Sequence, residues 1–216
     1  MSIEMSLSGF LFLFILVVYL ILLPALGYKI DIVDLDAELQ KINNNPKKFQ
    51  ISIGLALIHN VSVITLALML FFIFSPYNII LGIVWTIFRI GEGLILIYND
   101  KNYGGLLNIA RKYSSTSGAE KTSLSDLART ITKTKSSRFA FALIFWSIGT
   151  LAFSIVLVTY GLVHPFIGWL GIVACIPVGF GNGIKLVKHK EVLFESIGGL
   201  MALLFEILIG VWLLVF

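Results

Sequence analysis

Charged residues are scarce in this sequence: they make up 13% of its 216 residues, whereas 58% of the residues are hydrophobic. Soluble domains contain about a quarter charged residues and are about half apolar. The few charges leave long uncharged runs between short polar stretches, which is the pattern of membrane spans and loops. This scarcity excludes an ordinary soluble domain and predicts a single integral membrane domain over residues 1–216.

Cysteine and histidine are nearly absent. Cys175 is the only cysteine, so no intrachain disulfide can form, and its position in an apolar run predicts a packing role. The three histidines are dispersed, with His59 inside an apolar run and His164 and His189 near opposite membrane surfaces. Because no three-ligand set of His and Cys can converge from these positions, we expect no metal site and no cofactor.

Enzyme motifs are missing as well. The chain has no G-x-S-x-G and no H-E-x-x-H, and its glycine cluster at 179–183 lacks the Lys-Ser/Thr of a phosphate loop. The net charge of +4 belongs to loops rather than to a basic module, so we expect no nucleic-acid partner. The sequence therefore favours a protein without catalytic activity and without catalytic residues. A less favoured hypothesis is an intramembrane enzyme that uses Glu206 or His59 as a general acid or base.

The sequence does contain long apolar stretches. A spanning helix needs about 20 mostly apolar residues. Stretches of this kind lie at 7–27, 51–75, 78–98, 138–161, 165–187 and 193–216. They predict an all-α fold, a polytopic membrane helix bundle with about six transmembrane helices, in contact with the lipid bilayer of the cell membrane. Pro177 and the glycines after it predict a kinked or partly unwound end of the fifth span.

The basic residues lie on alternate loops, while the N-terminal tail and the second and fourth loops have none. By the positive-inside rule, loops one, three and five face the cytoplasm and both termini face outward. The residues that carry this prediction are Lys29, Lys41, Lys47 and Lys48 in the first loop, eight residues from Lys101 to Arg138 in the third, and Lys185, Lys188 and Lys190 in or beside the fifth.

Two of these loops have a helical pattern of their own. Apolar residues recur at helical spacing in 31–43 with acidic residues between them, which predicts a short helix at the membrane surface. In 99–137, a Ser/Thr/Gly-rich stretch at 114–118 separates two weakly amphipathic pieces. We expect these two pieces to be solvated linker helices.

Four ionisable residues interrupt the apolar spans: Arg89 and Glu92 in the third, Glu206 in the sixth, and His59, beside Asn60, in the second. At about 1.5 Å per residue, Arg89 and Glu92 lie about 17 and 21 Å from the start of their helix, Glu206 about 15 Å from the chain end and His59 about 12 Å from its helix start. Because neighbouring spans run in opposite directions, all four come to similar middle depths. Ionisable groups at that depth are costly and indicate a functional site.

Two hypotheses account for this group. Arg89 and Glu92 share a helix face and can pair, which leaves Glu206 as a second partner of Arg89 or as a protonated acid. The first hypothesis is a carrier or binding protein for a small polar or lipid-like ligand, with Arg89, Glu92 and Glu206 lining a polar site at mid-depth. The second is a structural or accessory subunit whose charged network only fixes helix packing. Gly198 and Ala202, with small-xxx-small spacing, are then the best candidates for contact with a partner helix.

Short segments in three of the spans carry a family resemblance. They are FRIGEG at 88–93 followed by LILI, GLVHP at 161–165 leading to WLG at 169–171, and FEILIGVWLL at 205–214. In order and spacing they resemble the F-R-x-x-E segment, the G-L-V-P and W-x-L-x-G passage, and the E-x-x-x-G-x-W-L-L ending of the six-span prokaryotic membrane family called domain of unknown function 4386. The resemblance implies a six-helix fold with Arg89, Glu92 and Glu206 at the family's motif positions, and it implies no activity.

The sequence departs from that family in its basic residues. Members usually carry them in the even-numbered loops and after the last span, where this chain has none. The two patterns imply opposite orientations in the membrane, and the outward-facing termini predicted above rest on this chain's own basic residues.

Overall fold

The computed structural model describes residues 3–188 and 193–215, and the described residues form an all-α helix bundle. His189, Lys190 and Phe216, which entered the interpretation above, lie outside the described residues. The helices are α1 Ile3–Val17, a π-helical turn Val18–Leu22, α2 Leu23–Ala25, α3 Leu35–Asn44, α4 Pro46–Phe74, α5 Ile79–Tyr103, α6 Leu106–Ser115, α7 Gly118–Thr159, α8 Pro165–Lys188 and α9 Leu193–Val215.

Within residues 3–188 and 193–215, six helical stretches are long and apolar enough to cross a membrane, and each overlaps one of the stretches predicted as spans. They are Ile3–Ala25, Pro46–Phe74, Ile79–Ser115, Gly118–Thr159, Pro165–Lys188 and Ser196–Val215. With this length and hydropathy the chain is a multi-pass membrane protein.

Local sequence places the ends of these helices. Pro46 and Pro165 stand at the first helical position of α4 and α8, where a missing N–H costs nothing. The Asn78 side chain caps α5 by accepting a hydrogen bond from the Leu81 N–H at 3.1 Å. Gly161, with φ of +62°, follows α7 in the left-handed conformation that glycine tolerates best. Tight turns of this kind make consecutive spans antiparallel neighbours.

The spanning helices form a closed ring. Each packs on the next one along the chain, and α9 packs back on α1. One half of the ring interior is filled by a hydrophobic core that includes Phe12, Leu66, Phe153 and Ile209. These residues come from the late part of α4 and α7 and from the side of α1 and α9 nearest the chain termini. Because neighbouring helices are antiparallel, this apolar core closes the termini side of the ring.

The opposite side carries a second hydrophobic core, which we call the cap. Leu39 of α3, Leu106 of α6 and Ala128 of α7 are fully buried in it. The predicted amphipathic helix in 31–43 is present as α3, but it packs on α6 rather than only facing a membrane surface.

The prediction of solvated linker helices in 99–137 is wrong. α6 buries Leu107, Ile109 and Tyr113 in the cap, and the second piece continues without a break into the spanning part of α7. The apolar faces of these two pieces are weak in the sequence, but they pack with α3 into one shared core. The end of the fifth span is not unwound, since α8 stays helical through Pro177 as far as Lys188, and a kink at Pro177 stays a prediction.

Candidate functional site

A single face of α5 carries a line of buried polar side chains. Its members are Arg89, Glu92, Asn99, Asp100 and Tyr103. Their spacings of three, seven, one and three residues keep them on one side of a helix. At 1.5 Å per residue the line extends over about 21 Å. It runs from the apolar core to the cap. The polar residues therefore occupy the half of the ring interior that the apolar core does not fill.

The mid-depth end of this line is an ion pair within α5. Nη1 of Arg89 lies 2.6 Å from Oε2 of Glu92, and the two residues are 2% and 5% exposed. The guanidinium also lies over the Trp85 ring, 5.2 Å from its centroid. α7 accommodates the arginine at Gly149, where an added Cβ would lie 3.1 Å from Arg89 Cγ. The pairing predicted from the three-residue spacing is therefore present.

Glu206 approaches this pair from α9 but has a different partner. Its Oε1 accepts a hydrogen bond from Nε1 of Trp146 on α7 at 2.8 Å. It lies within electrostatic range of Arg89, yet the described residues contain no ion pair between them. Unlike Arg89 and Glu92, Glu206 is only half-buried. We call Arg89, Glu92, Trp146 and Glu206 the mid-depth cluster.

Trp146 is a member of the mid-depth cluster that sequence reasoning missed. A buried indole N–H needs an acceptor, and α7 is apolar around this position. That requirement could have indicated a polar partner for Trp146 on another helix, although it could not have identified the helix.

His59 and Asn60 belong to a separate group nearer the cap. Nδ1 of His59 and Oδ1 of Asn60 are 2.9 Å apart, and Nδ2 of Asn60 donates to Oδ2 of Asp100 at 2.7 Å. His59 lies within electrostatic range of Arg89, so the two groups adjoin. The five candidate residues, whose ionisable members the sequence placed at similar depths, thus lie in two neighbouring groups.

Asp100 is the centre of the second group. Its Oδ1 accepts a hydrogen bond from the Tyr28 hydroxyl, and the Tyr103 hydroxyl donates to the Tyr28 carbonyl at 2.9 Å. The Lys135 ammonium lies 3.5 and 3.4 Å from the ring centroids of Tyr28 and Tyr103. We call these four residues, together with Asn60, the loop-side cluster. It ties the segment after α2 to α4, α5 and α7.

The electrostatics of Tyr28 follow from this environment. Burial, and next the negative charge of Asp100, raise the pKa of the Tyr28 phenol above its ordinary value. The hydroxyl therefore keeps its proton and remains a donor to Asp100 over the whole physiological range.

Sequence reasoning missed Tyr28, Asp100 and Lys135 because they lie beyond the ends of the predicted spans. Asp100 had a signal that was available: it lies eight residues after Glu92, on the same helical face. Extending the polar face of α5 past the apolar run would have found it. Tyr28 and Lys135 had no such signal, since they reach Asp100 across 72 and 35 positions of sequence.

Basic and acidic side chains, together with neutral hydrogen-bond donors, thus line one strip of the ring interior. Such a strip can bind a polar group or hold and exchange a proton. In the described part of the chain, no three His, Cys, Asp or Glu side chains are placed to hold a metal ion, and the absence of a metal centre stays a prediction.

Comparison with known proteins gives the family and nothing finer. No curated protein and no solved structure matches the chain. One family model, described as Domain of unknown function (DUF4386), matches residues 7–216, which include all six spanning helices except the first residues of α1. The three motif segments that carried the resemblance lie inside this match. The chain therefore belongs to the DUF4386 family of multi-pass membrane proteins.

Proposed function

We propose that this protein is a membrane carrier or binding protein for a small polar or lipid-like ligand, and that the mid-depth cluster is its binding site. The proposal places the protein in the cell membrane with both termini outside. In the membrane the ligand's polar group would contact Arg89 and Glu206, while its apolar part would lie among the surrounding helices.

The observation that carries the proposal is that the cluster has two carboxylates, Glu92 and Glu206, for one arginine. Glu92 already neutralises Arg89, so Glu206 adds a third ionisable group that the pair does not require. An architectural network would be expected to satisfy its groups fully. Here Nε of Arg89 is buried without a hydrogen-bond partner among the described residues, and Glu206 is less deeply buried than Arg89 and Glu92.

The position of the cluster also supports a binding role. The apolar core closes the termini side of the ring next to Arg89, whereas the polar line along α5 continues for about 21 Å toward the loop side. A polar ligand or a proton that reached the mid-depth cluster along this line would meet His59, Asn60 and Asp100 on its way. A lipid-like ligand would enter between helices.

The test is to identify what the purified protein carries. Wild-type protein, Glu206→Gln and the exposed control Glu120→Gln are purified in mild detergent and denatured, and released small molecules and lipids are compared by mass spectrometry. We expect at least one compound to be released in near-equal amount by the wild type and by Glu120→Gln and to be depleted at least tenfold in Glu206→Gln. Equal retention by Glu206→Gln, or the lack of any such compound in the wild type, would remove the proposal.

The melting temperatures of the same three proteins separate the two hypotheses. If Glu206 is kept for a ligand at a cost to folding, Glu206→Gln melts at the same or a higher temperature than the wild type. If the cluster is only architecture, the variant melts well below it, because Gln still accepts the hydrogen bond from Trp146 but no longer carries the negative charge near Arg89.

The structural-subunit hypothesis also predicted a partner helix at Gly198 and Ala202. These residues face α8 of the same chain: an added Cβ at Gly198 would lie 2.7 Å from the Val178 nitrogen, and Ala202 packs beside Cys175 and Val178. The close contact that the small residues permit is thus made within the chain, which favours the binding-protein proposal. A partner protein at this face stays a prediction.

A further inference from the structure

An apolar groove of about 500 Å³ lies between α7 and α8, and none of its lining residues belongs to the polar line. Its rim is formed by exposed side chains, with Ile148 at 37%, Ile176 at 55% and Phe180 at 71% exposure. The groove ends at Lys188, the last residue of α8. A concave apolar surface on the outside of a membrane bundle faces lipid, so its natural occupant is a hydrocarbon chain.

The length of the groove matches one leaflet of a bilayer. Along α8 it runs from Cys175 to Lys188, and these 13 steps correspond to about 20 Å of helix. Half of the hydrocarbon core of a bilayer is about 15 Å thick. One end of the groove therefore lies near mid-membrane and the other at the polar boundary, on the side of the basic loops.

The groove is deep because a glycine without a side chain lines it. Gly183 lines it and has no neighbouring atom within 4 Å of an added Cβ, so the space next to it is empty rather than packed. Farther in, the Ser147 hydroxyl donates to the Cys175 carbonyl at 2.6 Å. This bond satisfies the polar hydroxyl of the floor within the protein and leaves an apolar surface for the occupant.

The charge at the boundary end selects the headgroup. Lys188 is exposed at the level where a lipid phosphate would lie if its acyl chain filled the groove. A basic residue near the membrane surface attracts anionic lipids. A zwitterionic lipid would fit the apolar part equally well but would gain less from the lysine.

We propose that the groove between α7 and α8 binds one anionic phospholipid, with an acyl chain along Ile148, Ile176 and Phe180 and the phosphate at Lys188. This site shares no lining residue with the mid-depth cluster and does not depend on its function. The lipid extends the apolar surface of the bundle where Gly183 leaves it hollow.

The test uses a phosphatidylglycerol that carries a photoreactive diazirine at the end of one acyl chain, and the matching phosphatidylcholine, each added to the protein in lipid nanodiscs. We expect phosphatidylglycerol to crosslink to the inner end of the groove, at Leu151, Cys175 or Ile176, mapped by mass spectrometry. Phosphatidylcholine should crosslink there about fivefold less, the factor that corresponds to about 1 kcal/mol per basic residue near a membrane surface.

Two pairs of variants separate the acyl chain from the headgroup. Gly183→Leu extends into the groove from a position where an added Cβ has no atom within 4 Å, and its matched control Gly199→Leu adds the same side chain at another such helical position outside the groove. We expect the first to abolish the crosslink and the second to retain it. Lys188→Gln should remove the preference for phosphatidylglycerol, whereas Lys48→Gln, an exposed lysine at the start of α4, should keep it.

Crosslinks outside the groove, or crosslinks retained by Gly183→Leu, would overturn this inference. The same ratio of phosphatidylglycerol to phosphatidylcholine crosslinking in the wild type and in Lys188→Gln would also overturn it. Glu206→Gln should crosslink as the wild type does. A failure of the ligand test at the mid-depth cluster therefore leaves this result unchanged, and the two proposals can fail separately.

Discussion

Arg89 has one ion-pair partner among the described residues. It is 2% exposed, and Glu92 is its ion-pair partner at 2.6 Å. A buried cation that loses its partner keeps the cost of desolvation without the compensating attraction. The stability of the bundle is therefore expected to be sensitive to each of these two residues singly, and less sensitive to both together.

This expectation is tested with Glu92→Gln and with the double variant Arg89→Met, Glu92→Met. We expect the single change to lower the free energy of unfolding by about 3–5 kcal/mol and the double change to cost clearly less, since apolar residues of similar volume can replace a buried pair. Unfolding in mild detergent, followed by circular dichroism, measures both. A single variant as stable as the wild type would show that Glu206 moves to take the place of Glu92.

Tyr28 gives the loop-side cluster a pH dependence at alkaline pH. Its folded-state pKa is raised above the ordinary value of about 10. The unfolded chain thus loses this proton near pH 10 while the folded chain keeps it. The stabilisation is fully present below pH 10 and is lost as the pH rises further, by up to about 1.4 kcal/mol per pH unit from this group.

Replacing this residue should change both the stability and its slope. Tyr28→Phe removes a donor to Asp100 and should cost about 1–3 kcal/mol at neutral pH. It should also make the decline of stability above pH 10 shallower. Tyr160→Phe, at a position 43% exposed, is the matched control. An equally steep decline in Tyr28→Phe and the wild type would contradict the assigned environment of Tyr28.

At the scale of elements, packing in the cap stabilises the short helices α3 and α6. Both are short and amphipathic, and helices of ten residues are marginal on their own in water. They are held by apolar contacts with each other and with α7. Because Lys135 and Tyr28 belong to the same region, the cap also positions the loop-side cluster.

The cap should therefore be a structural unit rather than a membrane-surface attachment. Leu39→Ala, at a position 0% exposed, should lower the free energy of unfolding by about 2–5 kcal/mol. Val33→Ala, at a position 91% exposed, should change it little. The two variants are compared by thermal unfolding in detergent. If they behave alike, α3 does not pack on the cap in solution.

At the scale of the whole molecule, the ring has two different ends. The termini side is filled with apolar side chains, whereas the other side carries the cap and the basic residues. This asymmetry parallels the proposed orientation, with the cap in the cytoplasm. The same ring in the opposite orientation would place the basic loops outside.

Cysteine labelling in intact cells tests this orientation. In a Cys175→Ala background, which has no other thiol, Tyr77→Cys in the second loop should react with a membrane-impermeant maleimide before the cells are permeabilised. Ser117→Cys, between α6 and α7, should react only afterwards. The reverse order would mean that the family's usual placement of basic residues gives the correct orientation and that both termini are inside.

Much of the architecture could be predicted from the sequence, because apolar length and helical periodicity are properties of consecutive residues. The all-α class, the six spanning stretches and the pairing of Arg89 with Glu92 three residues later are all of this kind. Only the tertiary structure decided that Asn60 and Tyr28 meet at Asp100, that Glu206 bonds to Trp146, and that Gly198 faces α8. Such contacts depend on the rotation and height of each helix against its neighbours, and these are set by side-chain packing over the whole ring rather than by any one segment.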